Sequence, residues 1–236
     1  MTSAADRQRG DFRVVCDMGL VQSIDPSISV CAANGRYYRL RTRHRRRAIV
    51  QDDAGDDRHF SQASTLRDGT PVTIRVMRTD DRDRIARAFS GLDAGTIYTR
   101  FFGFRKEIPA SAIDRIAAID FVNLAGLVVT VGAGSEETVI GSASYVGSVA
   151  SDGAKTAEVA FTIEEDYQRQ GLAGRLLAAL AHLARRHGIV RLEAEVLTGN
   201  AAMLSVFQRS GLPMRMRREG GVVHVTLDLG PQAGRQ

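Results

Sequence analysis

The stretch Ile163-Glu164-Glu165-Asp166-Tyr167-Gln168-Arg169-Gln170-Gly171-Leu172-Ala173-Gly174 carries the densest chemistry in this sequence. An alternating segment ends at Ile163, a polar loop follows, and a leucine-rich helical pattern starts directly after Gly171. The first N–H groups of a helix have no partner within it and lie at the positive end of its dipole. Gly171 lets an anion approach the backbone, and Arg169 and Arg175 add fixed positive charge, so the segment reads as a pyrophosphate site. An ordinary strand-to-helix turn that uses glycine for its geometry would share these features. Two other phosphate readings are excluded: a Walker loop needs GxxxxGK followed by Ser or Thr, a dinucleotide fold needs GxGxxG, and neither occurs.

Other reactive side chains do not assemble into a site. His182 and His187 are five apart on one helical pattern, a poor spacing for a shared metal, and they read as solvent-facing. No Gly-x-Ser-x-Gly elbow surrounds Ser142, Ser144 or Ser148. Cys16 and Cys31 form no CxxC or Cys/His pair, which argues against a disulfide scaffold or zinc module and for a reducing, cytoplasmic setting. No metal is expected.

The elements that must hold the glycine loop follow from periodicity. Leu66-Arg67-Asp68-Gly69-Thr70 looks like a turn leading into a hairpin, and Val72 to Met77 alternates as a half-buried strand. Thr79-Asp80-Asp81 offers a helix start, with Ile85, Ala88, Phe89 and Leu92 on one face. A second helix would carry Ile97, Tyr98, Phe101 and Phe102, and a third, from near Pro109, Ile113, Ile116, Ala117 and Phe121. Leu124 to Gly132, Thr138 to Ser148 and Ala157 to Ile163 are sequential strands with short polar connections, the pattern of an antiparallel meander. Leu172, Leu176, Leu177, Leu180 and Leu183 then form a helical stripe ending near Gly188. A strand over Arg191 to Leu197, a helix over Ala201 to Arg209 and a last strand over Val222 to Leu229 complete the pattern.

Composition bounds the reading. With 236 residues, 44% of them hydrophobic and 25% charged, the chain is neither collagen-like nor wholly disordered. No apolar run approaches the roughly 18 residues of a spanning helix, and Asp11, Asp17 and Asp25 interrupt any signal-peptide core, so neither membrane nor secretion is expected. The net charge of +5 comes from 32 basic residues, of which only Lys106 and Lys155 are lysine. Residues 1–65 lack sustained periodicity and carry charge in blocks: the arginine run from Arg36 to Arg47, then Asp52, Asp53, Asp56 and Asp57. They read as a poorly ordered arm, residues 66–229 as the folded domain, and 230–236 as a tail. Tyr37 and Tyr38 within the arginine block are the one hint of nucleic-acid contact, but no folded module surrounds them and such a partner is not expected.

The region 66–229 resembles the GNAT superfamily of N-acetyltransferases. That family's acyl-CoA loop has Gln or Arg, two residues, Gly, one residue, then Gly or Ala; here Gln168, Gly171 and Ala173 meet it. The flanking order is also similar: a strand before it, a leucine-rich helix after it, Arg191-Leu192-Glu193-Ala194-Glu195-Val196 as the next strand, then Asn200-Ala201-Ala202-Met203 and Gly211-Leu212. More narrowly, Leu66-Arg67-Asp68-Gly69-Thr70-Pro71-Val72-Thr73-Ile74-Arg75, with Tyr98-Thr99-Arg100-Phe101-Phe102, resembles the acetyltransferase domain of bacterial Pat-type protein-lysine acetyltransferases.

The resemblance implies an α/β fold, a mixed and mostly antiparallel sheet flanked by helices. It also implies acetyl-CoA as donor and an amine acceptor, in the Pat type a protein lysine such as one of an acyl-CoA synthetase. Phe161, Thr162 and Ile163 would lend backbone groups to pantetheine and the thioester where the sheet splays. Gln168, Arg169, Gln170, Gly171, Leu172, Ala173, Gly174 and Asn200 would hold the rest of the cofactor. Glu158 occupies the position of the Pat-type general base; by alternation it shares a face with Ala160 and Thr162 and opposes Val159, Phe161 and Ile163. Many relatives place a tyrosine general acid where Phe207 stands, and phenylalanine cannot donate a proton. A small-molecule amine acetyltransferase and a non-catalytic CoA-binding regulator are the alternative readings.

Overall fold

The computed structural model of the chain describes residues 56–101 and 116–230. Its centre is an eight-stranded sheet in the order β1-β2-β3-β4-β5-β6-β8-β7. The strands are β1 (Ser61–Thr65), β2 (Pro71–Val76), β3 (Leu124–Val131), β4 (Thr138–Val149), β5 (Lys155–Ile163), β6 (Arg191–Leu197), β7 (Met214–Glu219) and β8 (Val222–Asp228). Neighbours run antiparallel except β5 and β6, which are parallel and joined by helix α3 (Leu172–Arg186). Helices α1 (Arg82–Gly91) and α2 (Ala94–Phe101) follow β2, and α4 (Ala201–Arg209) follows β6. No described helix is long and apolar enough to cross a membrane.

Two layers of side chains sandwich the sheet. The larger core joins Leu127 and Val129 of β3, Tyr145 of β4, and Val159, Phe161 and Ile163 of β5 to Leu172, Leu176, Leu177, Leu180 and Leu183 of α3. The opposite face holds a smaller cluster, with Met77, Val128 and Val139 against Ile85 of α1. Strand β3 is therefore buried on both faces, which is why it reads as a continuous apolar run. Gly126 within it is a close-approach site: a Cβ there would meet the Met77 sulfur at 2.6 Å.

A buried ion cluster ties β2 to the start of α1. Arg75 donates to both carboxylate oxygens of Asp81 at 2.7 Å, and its Nε and Nη2 reach Glu137 at 3.1 and 3.0 Å. Burial alone would push the Asp81 carboxyl up; Arg75, the Arg78 N–H and Arg84 more than offset this and hold it below the usual carboxylate range.

The expected organisation needs three corrections. The boundary at residue 66 falls inside a hairpin, because β1 pairs with β2 from Ser61↔Arg75 to Thr65↔Pro71. That edge strand is polar, alternating exposed and half-buried, so it carries no apolar period. Strand β7 was not anticipated either: Met-Arg-Met-Arg-Arg-Glu is exposed at the other edge and pairs only with β8. The expected third helix falls largely on 102–115, outside the described residues; its Ile116 and Ala117 lie in a 3-10 turn, Ile116–Ala118. His182 and His187 are half-buried rather than solvent-facing, and His187 lies 2.6 Å from Asp57.

Candidate active site

Strand β5 pairs with β4 over its whole length, from Gly141↔Ile163 to Val149↔Lys155. On its other side it pairs with β6 only at Thr156↔Arg191, Ala157↔Leu192 and Glu158↔Glu193. Beyond that rung the two parallel strands part, and β6 continues against β8 alone. The expected splay is therefore present, and it starts at Glu158. Val159 to Ile163 line one wall of the resulting cleft with backbone that has no ladder partner on that side.

The side chains on β5 alternate as expected. Val159, Phe161 and Ile163 enter the large core, while Glu158 and Thr162 are half-buried on the opposite face, which α1 and α2 cover further along. Ala160, between them on that face, is fully buried. Glu158 thus sits at the mouth of the cleft, across from Glu193.

The glycine loop closes the cleft's end. Glu165–Tyr167 forms a 3-10 turn, Arg169 takes a left-handed conformation at φ 60°, and Gly171 another at φ 87°. Gly171 is the N-cap of α3 and has no side chain with which to cap it. The α3 first-turn N–H groups of Leu172, Ala173 and Gly174 are thereby left to an external acceptor. Nothing lies within 4 Å of a Cβ built at Gly171, so its positive φ, not crowding, favours glycine here.

Several expected ligands also have internal partners. The Gln168 carboxamide donates to the Ile163 carbonyl at 3.1 Å and reaches the buried Thr96 hydroxyl of α2 at 3.4 Å, so it closes the end of β5 and links it to α2. The Glu165 carboxylate accepts from the Asp93 N–H at 3.2 Å, a second tie to the same helix. Gln170 bonds Arg67 and Asp68 in the β1–β2 turn. Arg175 donates to the Ser64 hydroxyl at 2.7 Å. Asn200 is buried and caps α4, its oxygen accepting from the Met203 N–H at 3.1 Å. Phe207 is fully buried and meets Phe161 edge-on at 6.2 Å, a packing partner beneath the cleft wall.

The structure adds one pair that the sequence reading missed. Glu195 lies on β6 two residues past Glu193, on the same face as Glu158, and its carboxylate is 2.8 Å from His224 Nδ1 on β8. The alternation Leu192, Ala194, Val196 against Glu193 and Glu195 was the available signal; the His224 partner comes from pairing across the sheet. The cleft thus combines a carboxylate at the parting, open strand backbone, and a helix N-terminus suited to phosphate.

Known proteins are similar to this chain in sequence and fold. The model of the acetyltransferase (GNAT) family matches residues 96–212. The chain is 32% identical over 166 residues to acetyltransferase Pat of Mycolicibacterium smegmatis, covering 70% of this chain and 48% of that protein. It is 32% identical over 139 residues to acetyltransferase PA5475 of Pseudomonas aeruginosa, covering 59% of this chain and 73% of that protein. The solved GNAT domain of S. lividans PAT aligns with a TM-score of 0.63 and 31% identity, covering 71% of this chain and 96% of that domain. The chain belongs to the GNAT family of acetyltransferases, and within it resembles the Pat-type acetyltransferase domain. It spans about half the length of the Mycolicibacterium relative.

Proposed function

We propose that the protein transfers an acetyl group from acetyl-CoA directly to an amine, and that the acceptor is a protein lysine such as one of an acyl-CoA synthetase, in the cytoplasm. The observation that carries the mechanism is the parting of β5 and β6 immediately after Glu158. It puts a half-buried carboxylate at one end of a backbone-lined cleft whose other end is the start of α3.

Chemistry follows from that order. The pyrophosphate lies on the N–H groups of Leu172, Ala173 and Gly174, with Arg169 beside them. Pantetheine runs along Phe161, Thr162 and Ile163, and a strand N–H polarises the thioester carbonyl. The acceptor arrives as an ammonium and must lose a proton before its lone pair can attack; Glu158 takes that proton, directly or through a water. The nitrogen–carbon bond forms, the carbon–sulfur bond breaks, the nitrogen gives up its second proton to water, and CoA leaves as thiolate. Phe207 supplies no proton to it. The likeness to acetyltransferase Pat supports a protein acceptor.

The test is to incubate the pure protein with labelled acetyl-CoA and a bacterial lysate, then identify labelled sites by mass spectrometry. Label on lysines of acyl-CoA synthetases is the expected result. Label only on small amines would replace the acceptor reading; binding without any turnover would replace the enzymatic one.

A further inference from the structure

The loop that starts α3 is held in shape from outside. Arg169 is exposed and left-handed, a conformation that side chains with a Cβ seldom adopt, and the left-handed Gly171 follows two residues later. Contacts of this bend reach across to the β1–β2 turn, about a hundred residues earlier. The Arg67 backbone N–H donates to Gln170 Oε1 at 3.1 Å, and Arg67 Nη1 donates to the Arg169 carbonyl at 2.8 Å. Gln170 Nε2 donates to Asp68 Oδ2 at 3.2 Å, so both ends of that carboxamide are engaged.

The turn is rigid enough to serve as an anchor. Asp68 Oδ1 accepts the Thr70 N–H at 2.9 Å, the Leu66 N–H donates to the Thr70 carbonyl at 2.8 Å, and Gly69 takes φ 98°. The Thr70 bonds hold the Asp68 carboxyl below its ordinary range, so it stays an acceptor at neutral pH. The hairpin is also fastened along α3. Ser64 accepts from Arg175 near the start of that helix, and Asp57 meets Arg186 at 3.2 Å and His187 at 2.6 Å near its end.

We infer that Arg67 and Asp68 are positioning residues for the acyl donor, clamping the Gln168–Gly174 loop in its binding shape before acetyl-CoA arrives. The inference rests on that loop being the donor site. A loop ordered in advance loses less freedom on binding, so the clamp acts on donor affinity and leaves the acyl-transfer step alone. It also gives the Leu66–Thr70 turn, which lies outside the family match, a part in the reaction.

A charge swap separates the clamp from general structural damage. Asp68→Asn sets two donors face to face with Gln170, and Gln170→Glu sets two carboxylates together. The double variant restores one donor opposite one acceptor and keeps an oxygen for the Arg67 N–H. Acetyl-CoA affinity would be measured by calorimetry, kcat at saturating donor, and hydrogen exchange of the 169–171 amides without ligand. Arg67→Ala and each single variant are expected to weaken acetyl-CoA binding about fivefold to tenfold, in line with losing a modest hydrogen bond. Loop exchange should quicken in all three, while kcat of Arg67→Ala and of Asp68→Asn stays within about twofold. The double variant should recover affinity and protection. Unchanged affinity and loop exchange in all three single variants, or a double variant no better than the worse single one, would overturn the clamp while leaving the donor site standing. A wild-type protein that binds no acetyl-CoA would overturn both.

Discussion

Strand β5 has β4 along one side and β6 along the other, and the two boundaries differ in kind. Against β4 it is laddered from Lys155 to Ile163, and the rungs between Ala143 and Tyr145 on one side and Val159 and Phe161 on the other are buried. Against β6 it holds three rungs, ends on two glutamates, and opens. On the closed side, backbone groups satisfy each other and side chains only have to pack. On the open side, the same strand's backbone needs other partners: Gln168 takes the Ile163 carbonyl, and the rest of that edge faces the cleft. A single strand is therefore a core element along one edge and a candidate binding surface along the other, with Glu158 at the transition.

The comparison breaks most visibly at Glu158. Replacing it with glutamine keeps the shape and removes the proposed base, and turnover should fall about 10²–10⁴-fold while acetyl-CoA affinity stays the same. The wild-type rate should rise with pH to a plateau, and the variant should lose that limb or shift it towards the amine's own ionisation. Turnover within a few-fold of wild type, with the same pH dependence, would leave Glu158 as a strand carboxylate.

On the closed side the expected loss is of stability. Asp81→Asn leaves Arg75 buried with Glu137 alone, and the cost should be about 3 kcal/mol in urea unfolding, the low end for breaking a buried pair. The sign of the pH dependence follows from the depressed Asp81 pKa: its contribution is present above the unfolded carboxyl's pKa of about 3.9 and is lost as pH falls through the lower folded value. The wild type should lose stability below about pH 4 more steeply than the variant. Parallel acid profiles would contradict the assignment.

Gly171 sharpens the open side. Asparagine and aspartate both tolerate left-handed backbone and differ in charge, so Gly171→Asn controls for strain while Gly171→Asp places a carboxylate at the α3 start. One like-charge contact at about 4 Å and an effective dielectric near 20 is worth on the order of 4 kcal/mol. Acetyl-CoA should raise the melting temperature of the asparagine variant and scarcely that of the aspartate variant. Equal shifts would move the pyrophosphate elsewhere. The smallest expected effect is that of removing residues 1–55: a chain starting at Asp56 keeps β1 and should melt like the full chain. One starting at Leu66 loses β1 and the Ser64–Arg175 bond and should melt lower.

What could be read from the sequence follows the same boundary. The β3 to β5 meander and α3 are buried on regular faces, so their periods of 2 and 3.6 are written plainly. Edge strands β1 and β7 need no apolar face, and neither carried a signal. Gln168 and Gly171 could be proposed from the sequence because their motif is local, and Glu158 because a family resemblance supplied its position. The Arg67–Gln170 and Glu195–His224 contacts join residues far apart in the chain, and no local pattern announces which charged side chains the sheet will bring together.

Amide NMR of the wild-type protein during titration with acetyl-CoA tests the parting directly. The amides of Phe161 and Ile163 and of Leu172, Ala173 and Gly174 should shift and gain protection from exchange. Those of Leu127 to Val129, inside the continuous part of the sheet, should hold still. Shifts centred on β3 and β4, with the β5 edge and the α3 start unmoved, would contradict the account.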